Sequence, residues 1–277
     1  MCAPAVIAAV REEWSRRRFL GTLGAAAVAP AVMPSATGIQ AGSVRLPQGF
    51  TRIFDLTHTL SPRTPVVPSF QPMRYAPKFT IPRDGFQCGE ITLNEHTGTH
   101  MDAPLHFVDG ALSVDRLPVE HLFAPLVVIS IADRVRANPD TAVTADDVLE
   151  WERRHGRIPA GAFVAMHSGW DGRVDQAAAF LNRDEKGTSH TPGFGGDAAA
   201  FLTRERDIVG AGVDTLSLDL GTSTGAPAHL GFLGAGKYGI EVIANLAAVP
   251  PSGATVIVGG PKHLAGTGGP VRLFAVA

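Results

Sequence analysis

Three histidines and an aspartate crowd into eleven positions of this chain, in the run Asn94-Glu95-His96-Thr97-Gly98-Thr99-His100-Met101-Asp102-Ala103-Pro104-Leu105-His106. Counted from His96, the other three lie at offsets 4, 6 and 10, all even. An extended backbone sends alternate side chains to opposite faces, so this spacing predicts that all four leave one face of a strand. A helix would scatter them. Extended geometry is also what Gly98, the β-branched Thr97 and Thr99, and Pro104 favour. Imidazole nitrogens and a carboxylate on one face form a site for a divalent ion, zinc or manganese by ligand type.

Three protein ligands leave an open coordination position, and a remote fourth or fifth ligand closes the shell. The remote candidates are His229, in Ala228-His229-Leu230-Gly231, and Glu241, in Tyr238-Gly239-Ile240-Glu241-Val242-Ile243. Glu241 stands in an apolar run, where an unpaired carboxylate is costly unless it binds metal or is hydrogen-bonded. Taken alone, a helix-end histidine and a core glutamate satisfied by backbone donors is the usual reading of both.

The elements that must position these residues are those of an α/β chain. Short β-branched runs predict strands at 53–57, 126–131, 163–167, 213–216, 256–258 and 271–274. Thr144 with Asp147 three residues on predicts a capped helix running to His155, and a second helix is predicted from Asp197 to Glu205. The Pro-rich stretch Ser61 to Pro82 reads as a long loop covering something. No repeat or linker divides the chain, so one domain is expected over 51–277.

Composition narrows the class. Of 277 residues, 45% are hydrophobic and 18% charged, which excludes a disordered chain or a coiled coil. A net charge of -2 without a basic tract past the first twenty residues argues against nucleic acid as a partner. Two cysteines, Cys2 and Cys88, build neither a disulfide framework nor a Cys-rich zinc module.

Residues 1–36 read as an export signal and flexible N-terminus. Ser15-Arg16-Arg17-Arg18-Phe19-Leu20 matches a twin-arginine motif, followed by an Ala/Gly-rich run from Gly21 to Val32. That run is too weakly hydrophobic for a stable membrane anchor. The expectation is handling by the twin-arginine translocase, cleavage after Ala31, Ala36 or Ala41, and a periplasmic or secreted location. Loss of 1–36 removes four basic and two acidic residues and takes the net charge to -4. Export in the folded state suits a protein that loads its metal beforehand.

The run His96-Thr97-Gly98-Thr99-His100-Met101-Asp102-Ala103-Pro104-Leu105-His106 resembles the HxGTHxDxPxH motif of the cyclase family of metal-dependent hydrolases, which includes bacterial kynurenine formamidase and isatin hydrolase. The resemblance extends over Asp55-Leu56-Thr57-His58, Gly212 to Asp219, His229, Glu241 with Asn245-Leu246, and Gly269-Pro270-Val271-Arg272. It implies a compact swivelling β/β/α domain, assembled as a homodimer or homotetramer. By the same resemblance His96, His100 and Asp102 bind metal, His229 and Glu241 complete one or two metal sites, and His106 is the catalytic acid and base. Two departures bear on substrate: kynurenine formamidases carry tryptophan where this chain has Phe54, and Ser168-Gly169-Trp170-Asp171 leads here into an insertion reaching Phe194.

The reading that follows is metal-dependent hydrolysis of a carbon–nitrogen amide bond in a small cyclic or aryl substrate. A divalent ion lowers the pKa of a water it binds from about 15.7 to about 7 and polarises a carbonyl. His106 would move the proton, and Phe54, His58 and Trp170 are the expected substrate-binding residues. Two alternatives stand beside it: a metal-dependent lyase or cyclase acting on a small carbonyl compound, and a periplasmic metal- or solute-binding protein without turnover. His190 reads as a loop histidine able to reach the pocket, while His121, His155 and His263 read as surface or capping residues. Gly266-Thr267-Gly268-Gly269 lacks the order of a phosphate-binding loop and reads as a turn.

Overall fold

The computed structural model describes residues 49–277; the expected signal at 1–36 lies outside them. In chain order the strands are β1 (Ile53–Asp55), β2 (Arg74–Phe79), β3 (Cys88–Thr92), β4 (His100–Asp102), β5 (Phe123–Ser130), β6 (Ala142–Val143), β7 (Phe163–His167), β8 (Gly193–Phe194), β9 (Gly210–Val213), β10 (Tyr238–Glu241), β11 (Ala254–Gly259), β12 (Gly268–Pro270) and β13 (Arg272–Val276). The helices are α1 (Ile81–Asp84), α2 (Ala132–Ala137), α3 (Ala145–His155), α4 (Ala177–Leu181), α5 (Gly196–Glu205) and α6 (Pro227–Gly234). Two units are distinguished. The smaller, 74–92, is an antiparallel hairpin of β2 and β3 with α1 between its strands and Phe79 stacked on Phe86.

The larger unit holds a nine-stranded mixed sheet in the order β1-β13-β11-β5-β7-β9-β10-β4-β12, with β5, β7, β9 and β10 parallel and every other pairing antiparallel. Its parallel strands are apolar on both sides, as a sheet covered on two faces requires. Val127, Ile129, Val164 and Met166 pack with Val148 and Trp151 of α3 and with Leu202 of α5. Leu126, Val128, Phe163 and Ala165 point the other way and meet Ile240, Val256 and Leu273. The mixed α/β class agrees with the expectation.

Helix α3 begins where its cap predicts. Thr144 accepts from Asp147 N and Asp147 returns a bond to Thr144 N, a reciprocal pair satisfying two donors that the first turn would leave free.

Three expectations are corrected. The strand expected at 213–216 is β9 at 210–213, displaced toward glycines that carry no strand signal. They are glycines for want of space, since a Cβ at Gly210 would meet Tyr238 O at 2.8 Å and one at Gly212 would meet the Phe163 ring at 2.6 Å. The Pro-rich loop ends at Met73, because 74–79 forms β2. The third correction concerns the His/Asp run, which is not one continuous strand. Only His100–Asp102 is extended in the sheet; Gly98 takes φ +66°, a left-handed turn that glycine adopts without strain, and Pro104–His106 forms a 3-10 turn.

Candidate metal centre

Strands β4 and β10 supply the centre's floor. They pair antiparallel with Glu241 opposite His100 and Gly239 opposite Asp102, so His100, Asp102 and Glu241 share one neighbourhood. All three are buried. The one ligand atom that each offers lies within 4.8 Å of those of the other two. His229, the third residue of α6, adds its Nε2 at 3.2 Å from Glu241 Oε1 and 3.5 Å from Asp102 Oδ2. His96 enters from the turn before β4 with Nδ1 at 2.7 Å from Asp102 Oδ1. His106 follows at the end of the 3-10 turn, and its ligand atom lies within the same 4.8 Å limit of those of His96 and Asp102. The six residues therefore converge although the extended-strand geometry does not hold. A turn on either side of a three-residue strand brings the outer histidines back over the inner pair.

Non-glycine residues with positive φ sit beside both remote contributors. Val242, next to Glu241, has φ +57°, and Ala226, just before α6, has φ +51°. Left-handed backbone at such residues costs about 1–3 kcal/mol and persists only where surrounding contacts impose it. For Val242 those contacts are visible: its N donates to Thr215 O and its O accepts from Thr99 Oγ1 at 2.6 Å. Glu241 is thus the last residue before a pinned bend.

Three of the four imidazoles are anchored by the far nitrogen. His100 Nδ1 donates to Gly98 O at 2.8 Å, His229 Nδ1 lies 2.5 Å from Asp219 Oδ2, and His96 Nε2 lies 3.1 Å from Thr267 Oγ1. A ring held in this way turns its other nitrogen's lone pair toward the common centre, the arrangement expected of metal-binding histidines. Asp219 also accepts from Ala228 N, and so fixes the start of α6 together with the ring.

A divalent cation fits what is present. Among the described residues, His100 Nε2 and Asp102 Oδ2 are buried without a hydrogen-bond partner. Leaving such groups unmatched costs about 1–3 kcal/mol each, more when charged. Two carboxylates, Asp102 and Glu241, are buried among imidazoles and attract positive charge strongly. Burial opposes charging His100 and His229, yet the neighbouring carboxylates overcome it and push His100 up to about 9 and His229 up to about 12. His106 behaves oppositely: burial, opposed by the Asp102 charge and joined by the other three imidazoles, pushes it down to about 4, so its ring is neutral at neutral pH.

The cavity over these groups, of about 200 Å³, is lined by Val67, Phe70, Phe107, Leu216 and Ser217 beside His96, His100, His106, His229 and Glu241. Its apolar walls were not singled out in the sequence one by one, although Val67 and Phe70 belong to the Pro-rich loop expected to cover something. A neighbouring hollow of about 290 Å³ shares Val67, Phe107, Leu216, Ser217 and His229 with it and continues to Phe180, Ser189 and Thr191 of the insertion. Phe107 stacks on the His229 ring at 4.6 Å.

The residues expected to bind substrate lie elsewhere. Phe54 is buried in the core between β1 and its neighbours, and Trp170 is fully buried with its Nε1 donating to Phe180 O. A strand end and a Trp-bearing turn look the same in sequence whether the ring faces a cavity or the core; here the core takes both. His58 lines a separate polar hollow with Ser61, Arg63, Thr64 and Asp175, where burial lowers its pKa. Ser168 donates to Asp214, which also accepts from the Ser168, Gly169 and Trp170 amides and holds that turn in place. His190 bonds Asp140, His263 bonds Glu95, and His155 packs on Trp151.

Comparison with known proteins bears on the same residues. The cyclase family model matches residues 54–220. The chain is 35% identical over 263 residues to isatin hydrolase of Roseibium aggregatum, covering 88% of this chain and 98% of that protein. A kynurenine formamidase of Salinibacter ruber is 27% identical over 224 residues, 79% of this chain and 95% of the other. The solved structure of an isatin hydrolase bound to the product analogue thioisatinate superposes with a TM-score of 0.77 at 36% identity, covering 81% of this chain and 92% of that one. With more than half its length matched by the family model and a relative of this identity aligned almost end to end, the chain belongs to the cyclase family.

Proposed function

We propose that the protein is a metal-dependent hydrolase that opens a carbon–nitrogen amide bond in a small cyclic or aryl amide, with isatin as the first substrate to test. The observation that carries this reading is the pair of unpartnered buried atoms, His100 Nε2 and Asp102 Oδ2, at the centre of two carboxylates and three anchored imidazoles. His96, His100, Asp102, His229 and Glu241 would hold one or two divalent ions, zinc or manganese by ligand type. When bound, such an ion supplies Lewis acidity toward a carbonyl and toward water.

The chain's own part is binding and proton transfer. Val67, Phe70, Phe107 and Leu216 form the apolar walls against which a flat ring packs. His106 is neutral, carries no hydrogen bond to another side chain among the described residues, and borders the same cavity. It takes the proton of the attacking water and returns one to the departing nitrogen as the C–N bond breaks, leaving a carboxylate and an amine. Relatives named isatin hydrolase and kynurenine formamidase support the aryl-amide choice. Protein stripped with chelator and reloaded with zinc or manganese, then given isatin, should yield a product heavier by one water. A product of unchanged mass would favour a lyase or cyclase.

Export through the twin-arginine translocase to the periplasm or beyond, and assembly as a homodimer or homotetramer, complete the proposal. The first rests on Arg16-Arg17 and the small-residue run after them. Among the described residues no helix is long and apolar enough to cross a membrane.

A further inference from the structure

The Gly266-Thr267-Gly268-Gly269 run, read in sequence as a turn, does more than reverse the chain. From Gly268 it forms β12 and pairs antiparallel with β4, Gly268 opposite Asp102 and Gly269 opposite Met101. Gly268 lets the His96 ring lie against the backbone, since a Cβ there would fall 2.6 Å from His96 Cε1. Between Gly266 and Gly268, Thr267 faces His96 on one side and Glu95 on the other.

The anchors of His100 and His229 are pure acceptors, a carbonyl and a carboxylate, so each leaves only one tautomer open to its ring. Thr267 Oγ1 is ambiguous, because a hydroxyl both donates and accepts. Glu95 removes the ambiguity. Its Oε2 lies 2.5 Å from Thr267 Oγ1 and accepts from Thr267 N at 3.1 Å, while its Oε1 lies 2.7 Å from His263 Nε2. A carboxylate in this position only accepts, so the single hydroxyl proton of Thr267 goes to Glu95. The hydroxyl can then only accept from His96, which places the ring proton on Nε2 and the lone pair on Nδ1, 2.7 Å from Asp102 Oδ1.

We propose that Thr267, with its proton committed to Glu95, is a positioning residue that fixes the tautomer of His96 and so makes Nδ1 the nitrogen offered to the metal. This rests on the reading of His96 as a ligand. His263 secures the far side of Glu95, which closes a chain from a side chain at the surface to the centre.

The test is the zinc dissociation constant, measured by competition with a chromogenic chelator on wild type, Thr267→Val, Thr267→Ser and His96→Ala. Valine keeps the branched shape and deletes the hydroxyl. Zinc binding should weaken about 10-fold to 100-fold in Thr267→Val, the usual effect of losing such an outer partner. Thr267→Ser, which restores the hydroxyl alone, should recover most of that loss. Wild-type affinity in Thr267→Val, with weakened binding in His96→Ala, overturns the tautomer assignment and leaves the metal site intact. Wild-type affinity in His96→Ala overturns both. Should Thr267→Val fail to fold, the wild-type protein loaded with cadmium-113 decides: scalar coupling between the metal and His96 is expected at Nδ1 with the proton on Nε2, and coupling at Nε2 contradicts the proposal.

Discussion

The His106 ring lies flat against the ring of His96, with centroids 3.9 Å apart and planes 27° from parallel. One of these stacked imidazoles is held at Nε2 by Thr267 and turns its Nδ1 to within 2.7 Å of Asp102 Oδ1, whereas the other shows, among the described residues, ring contacts with His96, Phe107 and His229 and no side-chain hydrogen bond. Two rings of the same type, in contact, thereby differ in how they are held, which matches the proposed division between a fixed ligand and a proton carrier.

That difference gives the first prediction. His106→Ala should retain nearly all its metal while catalysis falls about 100-fold to 10,000-fold, the usual worth of general acid-base help. His100→Ala should lose metal and activity together. Metal analysis of both purified variants by mass spectrometry, beside their turnover of isatin, reads the contrast. Equal metal loss in the two would make His106 a ligand.

Asp219 yields the second. Its carboxylate holds His229 Nδ1 at 2.5 Å and Ala228 N at 2.6 Å. Asp219→Asn keeps the size but weakens the acceptor, so zinc affinity should fall about 10-fold to 100-fold. Competition with a chelator measures it, and an unchanged dissociation constant would show that His229 needs no such anchor.

How far the sequence alone carries can be seen at particular residues. The capped helix from Thr144 was legible because the cap is local, a contact between residues three apart. The gathering of His96, His100, Asp102 and His106 was legible in composition but not in mechanism, since a three-residue strand between two turns has no signature in an even spacing. Glu241 and His229 were marked by a carboxylate in an apolar run and by family resemblance; Glu241 reaches His100 through the β4–β10 pairing and His229 reaches Glu241 from α6, and sequence prints neither. Phe54 and Trp170 show the opposite failure. An aromatic residue near a site and one in the core differ only in which face the sheet turns inward. Thr267 was hidden because its function exists only through Glu95, 172 residues away.

The third prediction is a pH dependence. His190 in the insertion bonds Asp140 at 2.7 Å and faces Asp184 at 3.6 Å, and the Asp140 hydrogen bond, outweighing partial desolvation, raises its pKa above the usual 6.5. A raised folded-state value means that the clamp contributes fully below about pH 6.5 and is lost as pH rises through the folded pKa. Amide-exchange protection at Thr188 and His190, corrected for intrinsic rates, should therefore fall from pH 6 upward. His190→Gln should flatten that fall; an equally steep one in the variant would place the titration elsewhere.

The fourth concerns residues 1–36. Replacing Arg16 and Arg17 by lysine should leave uncleaved protein in the cytoplasm, whereas the natural chain should be cut between Ala31 and Ala41 and leave the cell interior. Fractionation and N-terminal sequencing decide. Unchanged processing in the double variant would assign export to another route.

On the proposed reading, the buried cluster around His100 and Asp102 holds the ion on which hydrolysis depends. Its most direct test is metal content and isatin hydrolysis, measured on the same samples of wild type and Asp102→Asn after chelator treatment and reloading with zinc or manganese. Wild type should regain bound metal and activity in proportion, and Asp102→Asn, deprived of the carboxylate common to both ligand groups, should regain neither. Wild-type protein that hydrolyses isatin equally well with no bound metal would contradict that reading.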